Sequence, residues 1–459
     1  MSSCLLTVIL FFGIWCIVNC LEPQEAAGLF RLRRFPSENG QPSDLEPVGP
    51  SFPPGAAQPV SSRPITAQPV SSRPISAQPV SSRPITAQQV TVRPVIAGSV
   101  IASSRLSQPN FARPMVAVNA TAVQPIMPVI ANAAGCLGSF TSSGIPTSVH
   151  RLRAGDIKVV AAMGDSITAG NGAQATNVFG VLREDRGHAF SIGGDRSLSE
   201  GVTTLPNILK AFNEDIYGFS TSSGSGSPQF NVGEAGATAK SMAGQAVRLL
   251  ARLQADRHIN YMTDWKVITL LVGGNDLCNS CINPVAYSAA AYKDGIERAL
   301  DILHRHLPRT LVNLVEVFDI NMVASLANSN ILCSLVIGGI CPCGAGLNVN
   351  RVALGPLATE YRKAIFDLVG TGKYDTRPDF SVVIQPFLSQ LTLPTMQRGR
   401  PDLSYFAPDC FHLSGKGQRA AGKALWNNMM QPTRLKQMDL LPTAPISCPS
   451  TLFIPTRHN

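Results

Sequence analysis

Residues 57–96 repeat with a period of ten. Ala57-Gln-Pro-Val-Ser-Ser-Arg-Pro-Ile-Thr66 is followed by near copies beginning at Ala67 and Ala77 and by a degenerate copy at Ala87. Proline at every fifth position forbids a helix and removes donors from any strand. Such a segment cannot bury enough apolar surface to offset its ordering entropy, so it is expected to be an extended, polyproline-like or disordered stalk. Its period is too short for a solenoid repeat. The repeat sits in a wider regime, because 19 of the 35 prolines lie in residues 1–150 and 16 in the remaining 309 positions. Three domains of ordinary size, which 459 residues would otherwise suggest, do not fit that distribution.

Charge follows the same division. No Asp or Glu occurs between Glu46 and Asp156, while Arg63, Arg73, Arg83, Arg93, Arg105 and Arg113 recur through the tract. Two readings stand: a stalk in contact with anionic surfaces, and a solvated linker kept soluble by arginine. The net charge of +9 divides into +4 over residues 1–150 (nine Arg less five acidic) and +5 over 151–459 (29 less 24). A charge so spread does not point to nucleic acid as a primary ligand.

Residues 4–18 form a short apolar run, followed by Asn19, Cys20 and Glu22. The pattern resembles a secretory signal peptide and is shorter than the roughly 20 residues of a membrane span. The other apolar run, Ile331 to Ile340, is also too short to span, so a secreted product without a transmembrane anchor is expected. Removing Cys4, Cys16 and Cys20 with the signal leaves Cys136, Cys278, Cys281, Cys333, Cys341, Cys343, Cys410 and Cys448. Eight cysteines permit four disulfides in an oxidising compartment, with connectivity open. The alternative is zinc, since Cys278-x-x-Cys281 and Cys341-x-Cys343 have the look of ligand pairs. Arg31-Leu-Arg33-Arg34 suggests cleavage of a propeptide, and Asn119-Ala-Thr121 is an N-glycosylation sequon.

Beyond about residue 150, apolar strands alternate with amphipathic helices. Ile157–Met163, Val267–Val272, Leu311–Val317 and Ser381–Gln385 read as buried strands. Ser241–Ala255, Tyr292–His306 and Leu357–Val369 carry helical spacing. That alternation predicts a single doubly wound α/β domain with a parallel sheet and catalytic groups at the carboxyl ends of strands.

Three strand-end or turn segments could carry chemistry. Val159–Met163 runs into Gly164-Asp165-Ser166, which presents a serine that can be a nucleophile. Ile268–Val272 runs into Gly273-Gly274-Asn275-Asp276, where the Asn275 amide can aim an N–H at a developing oxyanion. In Asp409-Cys410-Phe411-His412 a carboxylate three residues from an imidazole can fix its tautomer and orientation, which a serine's base requires. Each segment alone reads equally as a turn or a helix cap. Acyl transfer needs all three functions at once, and here they follow in order in one α/β domain.

Gly164-Asp165-Ser166-Ile167, Asn231-Val-Gly-Glu-Ala-Gly236, Gly273-Gly-Asn275-Asp276 and Asp409-x-x-His412 resemble the four blocks of the GDSL, or SGNH, hydrolases. Longer segments, among them Thr147–Gly172, Arg186–Asp195, Val202–Leu209, Trp265–Cys278 and Phe406–His412, are similar to the animal phospholipase B1 repeat. The resemblance covers about residues 146–431. It implies a flavodoxin-like SGNH domain and a metal-free, cofactor-free esterase acting on glycerophospholipids and lysophospholipids at membrane or micelle surfaces. Ser166 would be nucleophile, His412 general base and acid, and Asp409 its orienter. The Ser166 and Gly236 amides with Asn275 would form the oxyanion hole. Mammalian-type members are similar to several tandem copies followed by a membrane anchor, whereas this sequence has one copy, so anchoring is not expected to carry over.

The expected organisation is a signal peptide at 1–20, a basic stalk at 21–135 with a propeptide at 21–34, an esterase domain at 136–431 and a C-terminal tail at 432–459. Two alternatives remain. One is an SGNH esterase for neutral lipids or acetylated glycans. The other is an inactive secreted matrix or binding protein whose repeats carry the function.

Overall fold

The computed structural model describes residues 135–459 apart from residue 137 and segments 222–227, 319–321, 323–325, 329–330, 346–353, 393–394 and 397–400. The signal peptide, repeat stalk, propeptide and Asn119 lie outside the described residues.

Four strands form a parallel sheet: β1 (Ile157–Gly164), β2 (Trp265–Leu271), β3 (Thr310–Val315) and β4 (Phe380–Gln385), paired in that order. Nearly every residue in them is buried, which is why they read as continuous apolar runs rather than alternating ones. On the free side of β1, Tyr217 and Asn231 make parallel bridges to Val159 and Ala162. This short flanking segment lies between β1 and β2 in sequence, so the order across the sheet reverses direction at β1. That is the doubly wound, flavodoxin-like arrangement, with its switch point at the carboxyl ends of β1 and β2. Gly164 pairs with Leu271, so the two strands end at the same level.

The helices are α1 (Ser166–Ala169), α2 (Leu205–Leu209), α3 (Met242–Ala255), α4 (Gly274–Asn279), α5 (Ala289–His306), α6 (Ile331–Ile340), α7 (Pro342–Ala345), α8 (Leu354–Gly370) and α9 (Gly415–Met429). Helices α3, α5 and α8 pack on one another in chain order, with α3 against β1 and α8 against β4, as crossover helices on one face of a parallel sheet do. Helix α9 packs on α2 and also meets β4, forming the second layer. Each long helix buries one stripe, for example Tyr292, Ile296, Ala299, Leu300 and Leu303 of α5.

All eight candidate cysteines pair: Cys136–Cys448, Cys278–Cys341, Cys281–Cys343 and Cys333–Cys410. The two short motifs that resembled ligand pairs are cross-linked to each other, which leaves their sulfurs no thiolate to offer a metal. The segment after α9 folds back on the domain. Cys448 is bonded to Cys136, the Trp426 indole donates to the Ser447 carbonyl at 2.8 Å, and Ile454, 2% exposed, donates from its backbone to Leu152. Leu440 and Ile454 are buried while Leu435, Leu441 and Leu452 stay exposed, so the C-terminal segment is anchored at spaced points rather than packed along its length.

Candidate active site

The site is built where β1 ends. Gly164 has a φ of +153°, and a Cβ there would lie 2.2 Å from the Leu271 carbonyl oxygen, so only glycine lets β1 end this close to β2. The Asp165 side chain then caps α1, accepting from the Ile167 N–H at 3.0 Å. Ser166 is the first residue of α1, so its N–H has no acceptor within the helix. Two buried glutamines hold this turn. Gln245 of α3 donates to the Gly164 carbonyl and accepts from the Gly164 N–H, both at 2.8 Å. Gln418 of α9 donates to the Ile167 carbonyl at 3.2 Å and accepts from the Phe190 N–H at 2.8 Å.

The imidazole arrives from a tight turn. The Ala407 N–H donates to the His412 carbonyl and the Cys410 N–H to the Ala407 carbonyl. Inside that turn Asp409 Oδ1 accepts from the Phe411 and His412 backbone N–H groups at 3.1 and 3.0 Å, while Oδ2 lies 2.5 Å from His412 Nδ1. His412 Nε2 lies 2.8 Å from Ser166 Oγ. Burial works to raise the Asp409 pKa, but the hydrogen bond and charge of His412 and the two backbone donors outweigh it and hold the carboxyl below its ordinary range. An ionised carboxylate can only accept, so Nδ1 carries the proton and Nε2 is left to accept from the serine hydroxyl. Gly172 makes room for the turn. It has a φ of +81°, and a Cβ there would sit 2.7 Å from the Ala407 Cβ and 3.0 Å from the His412 Cβ.

Opposite the serine, α4 begins directly after β2. The Asn275 amide donates to the Ala237 carbonyl at 2.9 Å, and the Asp276 carboxyl accepts from the Ala239 N–H. The second and third sequence blocks are thus hydrogen-bonded together, with Gly236 on an exposed turn beside Asn275's partner. The Asn275 contact uses one of two amide N–H groups and fixes the plane of the other. Asn231 secures the base of the same turn, donating to the Thr168 carbonyl and accepting from the Gly233 N–H.

Asp165 and Asp276 form a buried acidic pair behind the serine. Burial raises Asp165 to about 6, against the Ile167 hydrogen bond and the charge of His412. Burial, with the charge of Asp165 adding to it, raises Asp276 to about 7 despite the Ala239 hydrogen bond.

The structure therefore brings Ser166, His412 and Asp409 into one hydrogen-bonded line and ties Asn275 to the Gly236 turn. Sequence reasoning missed Gln245, Gln418 and the buried character of Asp276. A signal for Gln245 existed, since it falls on the apolar stripe of α3 between Met242 and Leu249.

Three relatives are each described as "Phospholipase B1, membrane-associated". The mouse (Mus musculus) and rat (Rattus norvegicus) proteins are each 42% identical over 340 residues, which is 71% of this chain and 23% of theirs. The human (Homo sapiens) protein is 43% identical over 311 residues, 66% of this chain and 21% of its own. The chain thus spans about a quarter of the length of these relatives. The profile of the family described as "GDSL-like Lipase/Acylhydrolase" matches residues 160–425, from the middle of β1 to α9, and so takes in Ser166, Asn275, Asp409 and His412. With more than half its length matched, the chain belongs to the GDSL-like lipase/acylhydrolase family of carboxylic ester hydrolases.

Proposed function

We propose that this protein is a secreted serine esterase of phospholipase B type, which releases fatty acids from glycerophospholipids and lysophospholipids. The observation that carries the reading is the line Asp409–His412–Ser166, with contacts of 2.5 and 2.8 Å, opposite a fixed side-chain amide. Ser166 Oγ attacks the ester carbonyl carbon as His412 Nε2 takes its proton. Negative charge developing on the carbonyl oxygen is met by the Ser166 and Gly236 N–H groups and by the remaining Asn275 N–H. His412 then protonates the leaving glycerol oxygen, and the acyl group stays on Ser166. A water molecule, deprotonated by His412, hydrolyses that ester and frees the fatty acid. Asp409 holds the imidazole in the tautomer this cycle needs and stabilises the imidazolium that forms twice in it.

The similarity to phospholipase B1 supports the substrate class. Four disulfides support an oxidising compartment, in keeping with removal of residues 1–20 as a signal and modification of Asn119. Among the described residues no helix is long and apolar enough to cross a membrane. The catalytic unit is proposed as residues 136–431 together with the segment to 459 that Cys448 anchors. The test is fatty-acid release from phosphatidylcholine and lysophosphatidylcholine by wild type and Ser166→Ala. Release by wild type and none above background by the variant is expected. Turnover confined to neutral lipids or acetylated glycans in the same panel would contradict the substrate class.

A further inference from the structure

Helix α6, Ile331-Leu-Cys-Ser-Leu-Val-Ile-Gly-Gly-Ile340, carries no charge and is apolar on every side, with the exposed Ser334 its one polar side chain apart from the bonded Cys333. A helix of that kind belongs in a core or a membrane, yet α6 buries only the side carrying Cys333 and Ile337. Ile331, Leu332 and Leu335 point outward at 81%, 50% and 69% exposure. The helix lies within the longest uncharged stretch of the catalytic region, since residues 320–350 contain no Asp, Glu, Lys, Arg or His. This is unlike α3 and α5, whose outer faces carry charge.

Three of the four disulfides fasten this helix and its continuation to the active site. Cys333 is bonded to Cys410, which lies between Asp409 and His412 in the turn that supplies the base. Cys341 is bonded to Cys278 of α4, the helix that carries Asn275. Cys343 is bonded to Cys281, directly before the loop that exposes Ile282 and Val285 at 66% and 82%. An apolar helix is thus covalently held against both the base and the oxyanion side of the site.

We propose that the outer face of α6, with Ile282 and Val285, is an interfacial docking surface that seats the protein on a phospholipid aggregate. The inference rests on the phospholipid-esterase reading above and adds where the substrate surface is met. An occupant made of acyl chains matches a surface that is apolar, uncharged and continuous through the disulfides with the groups that attack an acyl ester. At ten residues α6 is about 15 Å long, too short to span a bilayer, so it lies in the interface. The disulfides make the docking geometry the geometry of the site: a bilayer touching Leu332 and Leu335 presents its lipid esters at a fixed offset from Ser166.

The test uses the full chain and vesicles of pure phosphatidylcholine, whose zwitterionic surface leaves the basic stalk without an electrostatic target. Binding is measured by flotation in a Ser166→Ala background, so that no lipid is consumed. The triple variant Ile331→Ser/Leu332→Ser/Leu335→Ser is expected to bind these vesicles about a hundredfold more weakly. In the Ser166-containing protein it is expected to hydrolyse short-chain lysophosphatidylcholine, held below its critical micelle concentration, at the wild-type rate. Equal vesicle binding by the variant overturns the proposal, as does a wild-type dimer that the variant dissociates, because a second copy would then be the occupant. Leu335→Trp keeps the face apolar and guards against misfolding. Its added emission should shift to the blue with vesicles and be quenched by brominated phosphatidylcholine, and an unchanged spectrum overturns the proposal. A wild type that binds vesicles but hydrolyses neither lipid contradicts the esterase reading and leaves the docking surface standing.

Discussion

In the proposed cycle the chemistry depends on Asp409 although it meets Ser166 only through His412. Its carboxylate is buried and holds three hydrogen bonds, and only as an acceptor does it force the proton of His412 onto Nδ1. In Asp409→Asn the amide can present an N–H to the ring, which favours the tautomer whose Nε2 cannot take the serine proton. A fall in kcat of about 10³–10⁴-fold with KM nearly unchanged is expected, read from initial rates on lysophosphatidylcholine. Asp276 gives a test of the opposite sign. Its folded pKa of about 7 lies above the ordinary carboxyl value, so its contribution to stability is complete below about pH 4 and is lost as pH rises through 7. That loss amounts to up to about 4 kcal/mol. Asp276→Asn keeps an oxygen for the Ala239 N–H and should lack this part of the pH dependence, so thermal unfolding curves of the two proteins should converge at acid pH and separate toward pH 8. Parallel curves from pH 4 to 8 would contradict the assignment. Ser166, Asn275, Asp409 and His412 were legible in sequence because each sits in a short segment whose neighbours declare a strand end or a turn. Asp276 was visible only as a letter of its motif, since the groups that surround it, Ala239, Tyr292 of α5 and Tyr361 of α8, come from other parts of the chain.

At the scale of elements, the position of Ser166, the proposed nucleophile, is set by α3 and α9 through Gln245 and Gln418. Gln245 of α3 satisfies the Gly164 N–H, whereas the Gly164 carbonyl has a second donor in the Glu234 N–H. Gln245→Leu therefore orphans one buried N–H, and a loss of about 1–3 kcal/mol in urea unfolding is expected, with a lower kcat from a looser Ser166 turn. A loss below half a kcal/mol would show that the clamp is dispensable. The strands and the long helices were readable to within a few residues, because buried parallel strands are continuous apolar runs and α5 carries an unbroken apolar stripe. The flanking segment at Tyr217 and Asn231 was not, because isolated bridges leave no run of residues to detect. Helix α6 was seen as an apolar run without a type, since a helix apolar on every side has no period to recognise.

For the molecule as a whole, the disulfides join segments far apart in sequence, three of them around the candidate site. Cys136–Cys448 joins residues 312 apart and closes the start of the domain onto its end. Cys136→Ser/Cys448→Ser should lower stability by about 3–5 kcal/mol in calorimetry while sparing kcat, because this bond lies away from the site. Counting cysteines showed that four bonds were possible, but pairing is a property of tertiary proximity, which spacing along the chain does not encode. The same reason hid the C-terminal segment, whose anchoring through Cys448 and Ile454 depends on surfaces formed elsewhere. The central claim is that Ser166 is the nucleophile of a hydrolytic cycle. Its most direct measurement is reaction of the intact protein with a fluorophosphonate, followed by peptide mass spectrometry and residual fatty-acid release. The account predicts a single adduct on the peptide containing Ser166, growing in step with loss of activity and absent from Ser166→Ala and His412→Ala. Full hydrolytic activity in a protein with Ser166 labelled, or in Ser166→Ala, would contradict it.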